Sequence, residues 1–277
     1  LTSRLVGEGM SRSLGQAVIV DNRPGAGGLV GAEAAANAPA DGYTVVMGSF
    51  SVLYVSPYLA GKPSLVPMFA PISLLSTVPM ILVGKADGRF ADIRAALAEA
   101  KAKPGTVSIG HAGNGTTNHI AILRLEMNEG VKFNIIPYKG SGPGLTDLMA
   151  GQIDLYMDQL TTSLPHIKSG KLKGLLAMSP DKVAQLPEMP SLTDIGSKPF
   201  DGGTTAGVLA RVETPKPILD TLNGAVVKAL KEPGIAAKLV ELGAVPRPST
   251  MEEVAAYMKD QEVGVSALVK SGLLEPS

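Results

Sequence analysis

Hydrophobic positions in this chain keep changing period: short apolar runs give way to stripes at three- and four-residue spacing, then to runs again. The alternation is sharpest between Val107 and Asp158. Val107 and Ile109 lead into Gly110-His111-Ala112-Gly113-Asn114-Gly115-Thr116-Thr117-Asn118, after which Ile120, Leu123 and Met127 recur at helical spacing. Ile135 and Ile136 lead into Tyr138-Lys139-Gly140-Ser141-Gly142-Pro143, and Leu145, Leu148 and Met149 form the next stripe. Pro143 suits a first helical position, and Gly151 stands where a helix should stop. Each stretch predicts a strand, a loop of glycine and small polar residues, and an amphipathic helix.

Such a loop faces the unpaired N–H groups of the first helical turn, where the helix dipole adds about half a positive charge. An anion can be held there without lysine or arginine. Taken singly, either loop also reads as an ordinary strand-to-helix turn. Two in succession, both loaded with Ser, Thr or Asn, shift the balance toward a site.

The rest of the chain follows the same grammar. Leu1–Leu14 predicts a helix with Leu1, Leu5, Val6, Met10 and Leu14 near one face, and Gln16–Val20 a buried strand. Leu29–Asn37 predicts a helix and Tyr43–Met47 a strand running into Gly48-Ser49-Phe50-Ser51. Ile72–Val83 is apolar and β-prone, Asp92–Ala102 helical, Pro165–Lys171 a short helix or turn, and Leu172–Ala177 a strand. Residues 179–203 carry clustered prolines and glycines and predict a long ordered loop or a lid. Ala206–Leu209 predicts a returning strand, followed by helices from Pro215 and Ile235 and a last one opened by the capping box Thr250-Met251-Glu252-Glu253. The outline is an α/β fold with mostly parallel sheets. Residues 1–84 and 208–277 form a discontinuous first domain, and 85–207 are inserted as a second. Ligands in such folds sit outside the carboxyl ends of the strands.

Composition narrows the chemistry. The 25 basic and 25 acidic side chains cancel with no long run of either sign, which disfavours nucleic acid and anionic membrane surfaces as partners. There are no cysteines, so disulfides, thiolate catalysis and Cys-based metal sites are excluded. No apolar run reaches the ~18–20 residues that cross a bilayer. Gly110-x-x-x-x-Gly115-Thr116-Thr117 falls one residue short of a phosphate loop: Thr116 stands where the lysine is needed, so nucleotide hydrolysis is disfavoured. Gly25-Ala26-Gly27-Gly28-Leu29-Val30 is a weak dinucleotide match, with no acidic residue at a strand end downstream. His111, His119 and His166 have no metal-ligand spacing, and no nucleophile turn is present. No cofactor or metal is expected. His111 is placed for a ligand contact, whereas His119 reads as a structural or capping residue. Asp158 either accepts from a ligand amine or hydroxyl or caps the next turn.

Several stretches together carry a family resemblance. Asn22-Arg23-Pro24-Gly25-Ala26-Gly27-Gly28, Asp41-Gly42-Tyr43-Thr44, Phe69-Ala70-Pro71-Ile72-Ser73, Tyr138-Lys139-Gly140-Ser141-Gly142-Pro143, Gly151-Gln152-Ile153-Asp154-Leu155 and Leu186-Pro187-Glu188-Met189-Pro190 occur in the order and spacing of the tripartite tricarboxylate transporter receptors, or Bug proteins. The chain resembles that family over essentially its whole length. The resemblance implies a periplasmic solute receptor of the two-domain type II binding-protein fold; a monomer is expected. It further implies a small carboxylate in the cleft, delivery to membrane permease subunits, and no chemistry of its own. The positions it assigns to the ligand are Ser49, Gly113, Asn114, Gly115, Thr116, Thr117, Asn118, Tyr138, Lys139, Gly140, Ser141 and Asp158, beside His111 from the loop reading. Closure would hinge near Val83–Gly84 and Gly207–Val208.

The sequence departs from the family pattern twice. Family members begin with a strand and a Pro-Gly-Gly loop ahead of the first helix. The expectation is therefore a missing strand, with about 20 further mature residues and a signal peptide in the natural protein. Thr204-Thr205-Ala206-Gly207 also replaces an aromatic pair usual near the returning strand. Two other readings stay open: an enzyme on the same scaffold with Lys139 or His111 as base, and a ligand-sensing regulatory domain.

Overall fold

The structure, a computed structural model, describes residues 2–23, 25–272 and 274–276. Leu1 and Pro24, which figured in the sequence reading, lie outside the described residues. In chain order the elements are α1 (Thr2–Leu14), α2 (Leu29–Ala36), β1 (Val45–Ser49), α3 (Ser51–Leu59), β2 (Phe69–Val78), β3 (Met80–Lys85) and α4 (Ile93–Ala102). Then come β4 (Ser108–His111), α5 (Thr117–Glu129), β5 (Asn134–Pro137), α6 (Ser141–Ala150), β6 (Leu155–Gln159), α7 (Leu160–Lys168) and β7 (Leu172–Ala177). The chain closes with β8 (Thr204–Arg211), α8 (Lys216–Lys231), α9 (Pro233–Glu241), β9 (Val245–Pro246) and α10 (Met251–Lys270).

Two compact units result: Leu1–Thr77 with Thr205–Ser277, and the contiguous Val78–Thr204. Val83 and Gly84 lie within β3, inside the second unit, where both are buried.

The first unit holds a four-stranded sheet in the order β1-β8-β2-β9, with helices around it. Here β1 pairs β8 antiparallel, Val45 opposite Ala210, and β2 pairs β9 antiparallel, Ser76 opposite Pro246. The mostly parallel sheet expected from the alternation of strands and helices is not found there. A βαβ crossover forces parallel neighbours, but β8 enters from a long excursion and β9 follows an αα pair, so neither is bound by that rule. Gln16–Val20, expected as a buried strand, has no ladder partner among the described residues, and its Ile19 is 86% exposed. An apolar run becomes a strand only beside another edge. Here the Val18 amide donates instead to Ser11 Oγ (2.8 Å). Helix α3, absent from the sequence reading, contains Pro57, which hides its period.

The second unit is a five-stranded sheet in the order β5-β4-β6-β3-β7. Its β4 runs parallel to β5 and β6, as the repeated grammar predicts, while β3 runs antiparallel to β6 and β7. Met80, Leu82, Ile109, Ile122, Leu125, Leu155, Met157 and Leu176 fill its core. Residues 179–203 form an ordered strap on this unit: Met178 N–H donates to Met80 O, Gly202 N–H to Met178 O, and Asn128 Nδ2 to Lys198 O. The Arg124 guanidinium lies 4.6 Å from the Phe200 ring centre.

Tyr156, fully buried on β6, fixes how closely the central strands and α6 approach. A Cβ at Gly110 would lie 2.6 Å from its ring, and one at Gly144 only 2.0 Å. Glycine at these positions is therefore a packing requirement. Gly144→Ala is expected to destabilise the protein by about 1–3 kcal/mol through overpacking, and by far less in a Tyr156→Leu background. Denaturant titrations of the two single variants and the double variant would measure the coupling; strictly additive costs would refute the cradle.

Candidate functional site

The two loops of the second unit are laid side by side by continuation of the β4–β5 ladder. Tyr138 N–H donates to His111 O (2.9 Å) and Gly140 N–H to Ala112 O (3.1 Å). The first loop turns at Gly113 (φ 133°) and Gly115 (φ 77°), conformations that glycine alone adopts without strain. Thr116 then caps α5: its Oγ1 accepts from His119 N–H and donates to Gly113 O (2.6 Å). In the second loop Gly140 (φ 96°) precedes α6, which starts at Ser141, ahead of the Pro143 start expected from sequence. Two helix N-termini thus open from neighbouring loops, and the first-turn amides of Ser141 and Gly142 have no acceptor within α6.

Asp158 ties this arrangement together. Fully buried at the end of β6, it accepts from Ser141 Oγ (2.6 Å) through Oδ1, and from Thr162 Oγ1 (2.5 Å) and Ser163 Oγ (2.6 Å) through Oδ2. Its oxygens hold the starts of α6 and α7, which matches the capping alternative for this residue. Thr162 and Ser163 were not singled out from sequence; the hydroxyl run Thr161-Thr162-Ser163 just after Asp158 is the signal that could have found them.

Two tyrosines brace the second loop. Tyr138 OH donates to Asp147 Oδ2 (2.9 Å); burial and then Asp147 push its pKa up to about 12. Tyr156 OH donates to Gly140 O (3.3 Å) and packs edge-on to Tyr138, ring centres 6.0 Å apart. Burial, assisted by Asp158, raises the Tyr156 pKa as well. Asn118 is buried, with Nδ2 donating to Met157 O (2.9 Å), and so fastens α5 to β6. Asn114 and Lys139 are exposed, and Gly113, Thr116, Thr117, Gly140 and Ser141 are half-buried. Ser49 belongs to the first unit, where its Oγ lies 2.9 Å from Ser51 Oγ at the start of α3.

His111 is fully buried beneath the first loop, stacked on His119 with ring centres 4.6 Å apart and planes 14° apart. Its Nδ1 lies 3.2 Å from Gly113 N and 3.0 Å from Gly113 O, while its Nε2 is buried without a hydrogen-bond partner. Gly115 N–H donates to His119 Nδ1 (3.4 Å). Burial, with the His119 ring as a second cause, pulls the His111 pKa down to about 4. Burial lowers that of His119 too, against the opposing pull of Glu126. Among the described residues no three His, Asp or Glu side chains are grouped to hold a metal ion. No helix among them is long and apolar enough to cross a membrane.

With this geometry in place, comparison with known proteins is decisive. Residues 2–273 match the family described as tripartite tricarboxylate transporter family receptor. A UPF0065 protein of Pseudomonas sp. strain P51 is 34% identical over 266 residues, covering 94% of this chain and 78% of the relative. Among solved structures, an R. palustris protein with adipate superposes with a TM-score of 0.93 at 25% identity, covering all of this chain and 93% of the other. MatC of Rhodopseudomonas palustris with bound malate gives 0.84 at 28%, covering 94% and 90%. The α/β fold of two helix-flanked sheets is that of periplasmic binding proteins. The chain belongs to the tripartite tricarboxylate transporter receptor family.

Proposed function

We propose that this receptor works in the periplasm, binds a small organic acid through the paired loops of its second unit, and passes it to membrane permease subunits without chemical change. The observation that carries the reading is the pair of helix N-termini opening from adjacent loops, whose first-turn backbone N–H groups are the donors, the Thr116 and Ser141 hydroxyls being donated to Gly113 O and Asp158. That equipment suits a carboxylate, an anion that amides can hold without a cation. The solved relatives with adipate and malate support the same ligand class. The ligand-facing set in the second unit would be Gly113, Asn114, Gly115, Thr116, Thr117, Tyr138, Lys139, Gly140 and Ser141. His111, Asn118 and Asp158 would act from behind, by holding the loops.

A thermal-shift screen of dicarboxylates, hydroxy acids and aromatic acids tests the reading. A cognate acid at 100 times its Kd should stabilise the chain by about 2.7 kcal/mol, or roughly 2–4 °C for a protein of this size. Binding without turnover supports the receptor; no shift across the panel, or steady product formation, refutes it.

Gly115→Val should weaken binding of the acid found in that screen at least tenfold, because a β-branched side chain at φ 77° distorts the loop backbone. Titration calorimetry alongside a melting curve separates loss of the site from loss of the fold. Unchanged affinity would make this loop a mere connection.

A further inference from the structure

The two stacked histidines both contact the glycine turns of the first loop. Each ring presents Nδ1 to the amide of a different loop glycine, His111 to Gly113 and His119 to Gly115, and the rings stack face to face. An Nδ1 that accepts an amide N–H carries a lone pair and leaves the proton of the neutral ring on Nε2; at His111 the opposite role, Nδ1–H donating to Gly113 O at 3.0 Å, is the competing tautomer. At His111 that Nε2 is buried without a partner. Such an orphan costs free energy, so Nδ1, with Gly113 N at 3.2 Å and Gly113 O at 3.0 Å, is the atom whose polar contacts orient this ring.

We propose that His111 and His119 are paired positioning residues, which hold the Gly113–Gly115 backbone in its anion-receiving shape only while both rings are unprotonated, so that acid loosens the receptor's grip. The inference rests on the proposed carboxylate site in this loop.

Protonation converts both Nδ1 atoms from acceptors to donors. The Gly115 amide then loses its acceptor, and the His111 ring can bond only the other atom in reach, Gly113 O at 3.0 Å. Two stacked cations would also repel each other. The groups able to tune the pair lie on the elements packed around it. Glu126 on α5 favours the charged form of His119. Tyr138 and Lys139 follow β5, Tyr156 and Asp158 lie on β6, and Asp147 lies on α6. Of these, Asp158 is bonded to three hydroxyls and Asp147 to Tyr138. Because the folded chain keeps His111 deprotonated below its usual 6.5, stability also declines as pH falls from about 6.5 to about 4.

The test uses Asn, whose side-chain oxygen stands where Nδ1 does and does not titrate. In the ligand-free full chain, ring ¹⁵N signals at neutral pH should show both histidines protonated at Nε2. The Gly113 and Gly115 amide signals should move together as the rings titrate, and stay still in the His111→Asn/His119→Asn variant. Adipate is the affinity probe. The wild type should lose at least about twofold relative to the Asn variant by pH 4, where His111 is half protonated. His111→Leu should weaken adipate binding at pH 7, and His111→Asn should restore most of that loss. A proton on Nδ1 of His111 at neutral pH, glycine amides indifferent to the titration, or matching pH profiles for wild type and Asn variant would overturn the proposal. Should adipate fail to bind even the wild type, the ligand class would be at fault, and the ligand-free signals would still decide the histidine role.

Discussion

A carboxylate sunk out of reach of water is the constraint on which the proposed site in this receptor depends. Removing Asp158 from solvent costs several kcal/mol unless donors replace the lost hydration. Three hydroxyls from α6 and α7 supply them. Short charge-assisted bonds of this kind are about twice as strong as neutral ones, so the starts of two helices are drawn to the end of one strand. The loop ahead of α6 inherits its place from that bond. The adjoining ladder contacts, Tyr138 to His111 and Gly140 to Ala112, then carry the first loop with it.

This design separates holding from contacting. The groups with the strongest chemistry in the second unit, Asp158, Asp147 and the two stacked histidines, are spent on the protein's own backbone and hydroxyls. For the proposed ligand this would leave the first-turn main-chain N–H groups, beside the exposed Asn114 and Lys139. Their geometry is fixed in advance, so little ordering is left to be done on binding. The cost is specificity, since amides at a helix end accept many anions of similar size.

Much of the frame was legible because it rests on local rules. The strand–loop–helix grammar from Val107 to Asp158, the stop at Gly151 and the capping box at Thr250 are each decided within a few residues, and each is present. What escaped depends on partners far along the chain. Ser141 and Ser163 meet at Asp158 only once two helices have packed, and no spacing announces it. Gln16–Val20 has the composition of a strand, yet composition does not supply a neighbouring edge. The direction of β8 follows from its route through the second unit and not from its own residues. His111 was singled out for lying in a polar loop, but a side chain at a strand's end can point beneath the loop as readily as above it. The family resemblance supplied what such rules could not: the class of solute.

The interrupted layout of the first unit has a consequence for how the chain comes together. The second unit is one continuous stretch whose strands and strap are all local to it, so its internal contacts need no closure of a loop outside it. The first unit must bring β8 beside β1 across everything between them. Closing a loop of that length in a disordered chain costs entropy that grows with the logarithm of its size. If the second unit folds first, its ends are already fixed and most of that cost disappears. On that order the inserted piece would serve as the folding template for the sequence on either side of it, and damage to its core would leave both halves of the first unit searching for each other.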